Sequence, residues 1–63
     1  MTVQSGLNES PWYTTAQAAR YLGLHPGTLR RWRIDASGPA AHRAGRAVRY
    51  HRDDLDAYLL RAA

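Results

Sequence analysis

Apolar residues along this chain fall into three short clusters with helical spacing, and between the second and third lies a stretch where that spacing is lost. The first cluster is Tyr13-Thr14-Thr15-Ala16-Gln17-Ala18-Ala19-Arg20-Tyr21-Leu22-Gly23. Ala18, Tyr21 and Leu22 share one face, so the segment predicts a short helix with one apolar side. Its ends carry local signals as well. Thr14 and Gln17 are spaced for a capping box, in which each side chain satisfies a backbone N–H that the helix start leaves unpaired. Tyr13 and Ala18 hold the staple positions around that box, and Gly23 suits the left-handed residue that closes a helix.

A second helix follows a three-residue turn. Pro26 is pre-organised for a first helical position, where its missing N–H costs nothing, and this makes His25 the cap. Leu29 and Trp32 lie three apart and should face the first helix, leaving Gly27, Thr28, Arg30 and Arg31 on the outer faces. Ser37-Gly38-Pro39 ends the helix near Ile34 or Asp35. From Ala40 to Tyr50 the pattern changes to two short segments around Gly45, the second with Val48 and Tyr50 in alternation, which predicts a small hairpin. A third helix is expected from about Arg52 to Arg61. Asp53 and Asp54 suit its positive N-terminal end, Arg61 suits the negative end, and Leu55, Tyr58 and Leu59 complete the core with Tyr50. The predicted fold class is mainly α with a small β-hairpin, a winged helix-turn-helix of three helices plus wing. Residues 1–11 are polar and unpatterned and read as a flexible N-terminal arm, with residues 12–63 as the folded domain.

Composition narrows the function. Sixty-three residues suffice for one domain with a modest core. The chain has no cysteine, which excludes disulfides and thiolate metal sites and fits a reducing cytoplasm. No apolar run approaches membrane-spanning length, and Met1 to Ser10 lack the basic start and apolar stretch of a signal peptide, so no membrane partner is expected. The net charge is +4 and the pI about 10.4, an excess that points to a polyanionic partner. All nine basic residues are arginine. The guanidinium fork grips phosphates and guanine edges in pairs of hydrogen bonds, although a GC-rich genome produces the same bias. Acid is concentrated in Asp53, Asp54 and Asp56, while the arginines from Arg20 to Arg46 have only Asp35 among them.

Two short helices joined by Gly23-Leu24-His25 form a helix-turn-helix, and the second has the make-up of a major-groove reader, with Arg30 and Arg31 outside and Leu29 and Trp32 inside. Arg43, Arg46 and Arg49 around the hairpin turn add a second basic element. Arg20, His25 and Arg33 are candidates for phosphate contact, as is His42. Trp32 lies opposite the arginines, which suits a core role better than base stacking. No enzyme is expected: the carboxylates sit at a helix start, and no phosphate loop or nucleophile motif is present. His25, His42 and His51 lack metal-ligand spacing, so neither metal nor cofactor is expected.

The segments Thr14 to Leu24, His25 to Trp32, Arg43 to Tyr50 and Asp54 to Leu59 together resemble the MerR-like winged-helix domains of the excisionase type, over roughly Tyr13 to Leu60. The resemblance implies a recognition helix entering the major groove through Pro26, Gly27, Thr28, Arg30 and Arg31. It also implies a wing, Arg43 through Arg49, reaching the adjacent backbone and minor groove. It further implies a phage-encoded recombination directionality factor in the cytoplasm of a bacterial host, associated with the nucleoid. Such a factor binds tandem sites beside an attachment site, bends the DNA and redirects an integrase, of tyrosine or serine type, toward excision. His25 stands where the family usually has Ser or Thr, and Gly27 where it has a larger side chain, which shifts the burden of specificity to Thr28, Arg30 and Arg31. A small phage or prophage transcriptional regulator on the same fold, or a basic adaptor for an acidic protein, are the other readings. No long dimerisation helix is evident, so a monomer is expected in solution, with neighbouring copies meeting on DNA.

Overall fold

The computed structural model describes residues 10–62. Strand β1 (Trp12–Tyr13) leads into helix α1 (Thr15–Leu22), helix α2 (Pro26–Ile34), strands β2 (His42–Ala44) and β3 (Ala47–His51), and helix α3 (Arg52–Ala62). Three helices and an antiparallel hairpin make the winged helix-turn-helix that the spacing predicts. Of the expected arm, residues 1–9 lie outside the described residues. Pro11 is already tied to the fold, because its carbonyl accepts from the Arg52 N–H at 2.8 Å.

The helix ends form as their residues dictate. Thr14 Oγ1 accepts from the Gln17 N–H at 3.1 Å, and Gln17 Oε1 accepts from the Thr14 N–H at 2.9 Å, which completes the capping box. Gly23 closes α1 at φ 75, with its own N–H on the Arg20 carbonyl and the Leu24 N–H on that of Ala19. The same double bond pattern ends α2, where the Ala36 N–H meets the Arg33 carbonyl and the Ser37 N–H that of Trp32. Here the left-handed residue is alanine, at φ 60.

The sheet order is β1-β3-β2. The hairpin pairs His42 with Arg49, Arg43 with Val48 and Ala44 with Ala47. Gly45 at φ 64 and Arg46 at negative φ form its two-residue turn, the type II′ pattern whose twist matches the strands. The third strand is an addition to the prediction, with Trp12 opposite His51 and Tyr13 opposite Tyr50. Two residues between a proline and a helix cap offer no alternation by which a strand could be recognised.

Tyr13, Ala18, Ala19, Leu29, Tyr50 and Leu55 form the buried core, with Leu22, Trp32, Ala41 and Val48 packed around it. Ala19, absent from the predicted apolar face, is fully buried. Two expectations are corrected. Leu59 is 40% exposed: α3 has 11 residues against the 8 of α1, so at about 1.5 Å per residue its last turn outruns its partner. Tyr21 is 41% exposed and packs edge-on against Tyr13 instead of entering the core.

Candidate nucleic-acid interface

Helix α2 buries Leu29 and half-buries Trp32, and this sets which residues look outward. At helical spacing Gly27, Arg30, Arg31 and Ile34 then share the opposite stripe. Arg30, Arg31 and Ile34 on it are exposed, Gly27 half so. Pro26 and Thr28 are half-buried in the first turn. The N-terminus is closed by His25, whose Nδ1 accepts from the Gly27 N–H at 3.0 Å. That bond leaves Nε2 as the ring nitrogen that can donate. Gly27 has a structural reason as well. A Cβ there would stand 3.1 Å from His25 Nδ1, so glycine makes room for the imidazole cap.

The hairpin places its arginines differently. Strand alternation puts Arg43 on the face of Val48 and Arg49 on the opposite face with His42, while Arg46 occupies the turn. All three are exposed. Arg49 donates from Nη1 to the Val48 carbonyl at 2.8 Å. The wing therefore presents cations on both faces and at its tip, not along one side.

The phosphate-contact candidates divide. Arg20 is exposed in the last turn of α1, and His25 is exposed at the start of α2. Arg33 is half-buried, with Nη1 enclosed and unpartnered among the described residues. It lines a groove with residues 36–41 rather than the outward stripe. His42 is held elsewhere, its Nε2 lying 2.8 Å from Asp54 Oδ2.

The acidic residues have structural occupations. Asp54 anchors β2 to α3 through His42, and Asp56 accepts a short hydrogen bond from the Tyr21 hydroxyl. That hydrogen bond, helped by slight desolvation and the Asp56 charge, holds the Tyr21 phenol above its ordinary value of 10.0. The start of α3 is capped by His51, whose Nδ1 accepts from the Asp53 N–H at 3.1 Å. The sequence reading assigned these carboxylates to the helix dipole and missed their partners, because the pairings join residues far apart in the chain.

Among the described residues the basic side chains that come within 4 Å of a carboxylate are both histidines, His42 and His51. None of the nine arginines is paired with a described carboxylate. Among the described residues no cluster of His, Cys, Asp or Glu is placed to hold a metal, and no helix is long and apolar enough to cross a membrane. The result is a helix-turn-helix with unpaired guanidinium groups on its second helix and a basic hairpin beyond it. Comparison with curated proteins finds no match to the chain. The family model of the helix-turn-helix domain, a sequence-specific DNA-binding module that is generally non-enzymatic, matches residues 12–63, and the chain belongs to that family.

Proposed function

We propose that the protein is an excisionase-type architectural factor, which binds duplex DNA in tandem copies beside a phage attachment site, bends it and directs an integrase toward excision. The observation that carries this reading is that no arginine is paired with a described carboxylate. A folded surface normally lets some guanidinium groups meet carboxylates. Here every described carboxylate is left to histidine, tyrosine or solvent, and the eight exposed arginines, all but Arg33, are available to an external anion. In this reading Arg30, Arg31 and Thr28 read base edges in the major groove, with Pro26 and Gly27 keeping the helix start slim enough to enter. Arg43, Arg46 and Arg49 hold phosphates beside it, and Arg20 and His25 add backbone contacts. Arg33 contributes only where the 36–41 loop yields.

Size supports tandem binding. The molecule measures 36 × 30 × 19 Å, so one copy covers at most about one turn of duplex, roughly 34–36 Å. That reads few base pairs, and a unique address then requires several adjacent copies, whose head-to-tail contacts hold DNA in a curve.

Footprinting on DNA flanking the gene, with gel shifts on one-site and multi-site duplexes, tests the proposal. Arg30→Ala or Arg31→Ala should weaken the specific site by about 1–3 kcal/mol and relax preference at one position. Arg46→Ala should weaken all sequences alike. Equal losses on specific and random duplexes for all three variants overturn the division of labour. A stable solution dimer on a palindromic site overturns the tandem array and favours a transcriptional regulator.

A further inference from the structure

The outer face of the wing sheet carries a cluster that the recognition helix does not account for. Alternation along the strands places Trp12, His42, Arg49 and His51 on the face opposite Tyr13, Val48 and Tyr50. The Trp12 indole stands edge-on to both imidazoles, with ring centroids 5.4 Å from His42 and 4.7 Å from His51. It is nevertheless 44% exposed. With His42, Arg43, Ala44 and Arg49 it lines an apolar cleft of about 280 Å³.

Two features indicate what fills this cleft. Its walls are an indole, an imidazole, a methyl and the aliphatic stem of an arginine, all suited to a flat apolar body. Its frame is cationic: Arg49, on the same face, has no carboxylate partner among the described residues, and the carboxylate bonded to a cleft residue, Asp54, is taken up by His42. We infer that the cleft is a stacking site for an unpaired nucleobase, so that the outer face of the wing binds single-stranded or locally unstacked DNA. A base offers a π-face to the aromatic wall and its phosphates meet the guanidinium groups. Paired bases hide those faces inside the stack, so intact duplex does not satisfy the site. Arg46 at the tip lies three residues from Arg49, about 10 Å along the strand, so one backbone can pass over both. The inference rests on the DNA-binding reading and extends it to a second surface and a different form of DNA.

Tryptophan fluorescence of the full chain, titrated with a short oligothymidylate and separately with a duplex, tests it. Oligothymidylate should quench the emission. Trp12→Leu keeps apolar bulk and strand pairing but removes the flat ring. It should weaken single-strand binding on the order of tenfold to a hundredfold while duplex affinity stays within about twofold. Arg49→Gln should weaken single-strand binding as well. Should Trp12→Leu fail to fold, Trp32→Phe leaves Trp12 as the sole reporter, and its quenching decides. Duplex binding without oligothymidylate binding overturns the inference alone, as do equal losses on both ligands for Trp12→Leu. Quenching by an acidic peptide but not by oligothymidylate transfers the cleft to a protein partner and also overturns it. Failure to bind either form of DNA brings down the underlying reading too.

Discussion

Ala36 occupies the left-handed position at the end of α2, at φ 60, where a Cβ crowds the backbone and glycine does not. Ala36→Gly should therefore raise stability, by about 0.5–1 kcal/mol after allowing for the extra freedom of glycine in the unfolded chain. A urea midpoint that falls would show that this turn does not hold the left-handed geometry in solution. Tyr50 presents a second oddity. Its ring is 1% exposed, and its hydroxyl is buried with no partner among the described residues. A buried donor without an acceptor is penalised by about 1–3 kcal/mol, so Tyr50→Phe should stabilise the domain, on the order of 1 kcal/mol. Thermal melts of the two proteins settle it, and a lower midpoint for the phenylalanine variant would mean that the hydroxyl is satisfied in solution. These two residues also mark what sequence reveals at this scale. Thr14 with Gln17, and Gly23, announce their roles because cap chemistry is local. Nothing about an alanine at position 36 announces a left-handed turn, and nothing about a tyrosine at 50 says that its hydroxyl lacks a partner.

Among the elements, the helices were legible and the sheet only in part. Leu29 with Trp32 and Ala18 with Leu22 repeat at the spacing a helix imposes, and Pro26 and Gly23 punctuate the ends. Strand β1 was hidden because its two residues acquire meaning only beside β3, which is far along the chain. The recognition stripe of α2 could be read from the same spacing. The placement of Arg43 and Arg49 on opposite faces could not, since it depends on register. Trp32 shows how these elements are joined. Its ring lies tilted against Tyr58 of α3, centroids 5.5 Å apart, and Gly38 lies so close over it that an added Cβ would come within 2.6 Å of Cε3. The indole thus ties α2 to both α3 and the loop leading into the wing. Trp32→Ala should cost about 3 kcal/mol, the lower end for a buried aromatic because the ring is only half-buried. That is enough to leave a domain this small largely unfolded. Circular dichroism and urea titration check it. A folded variant that has lost DNA binding would place the indole in the interface instead.

At the scale of the whole molecule, the charges are separated by occupation. Asp53, Asp54 and Asp56 lie against histidines and a tyrosine, and every arginine but Arg33 is exposed. Composition alone pointed to a polyanion. That no arginine meets a carboxylate among the described residues emerged only from the structure. If each copy neutralises about five or six phosphates, log affinity against log salt should fall with a slope of roughly −5. Isothermal or fluorescence titrations from low to moderate salt measure it, and a slope near zero would remove the nucleic-acid reading altogether.

The pairing of the first strand with the last has a consequence for how the protein is made. Trp12 meets His51 in the sheet, and the ribosome adds that partner 39 residues later. At about 5–20 residues per second, roughly 2–8 s pass between the two additions. During that interval Trp12 and Tyr13 are apolar side chains without a sheet to join. Helices α1 and α2 are synthesised first, but at 8 and 9 residues they are too short to hold without tertiary packing, and the wing sheet closes only after β3 is made. In the nascent chain, therefore, helix α2 waits, already synthesised, for the sheet that helps to hold it.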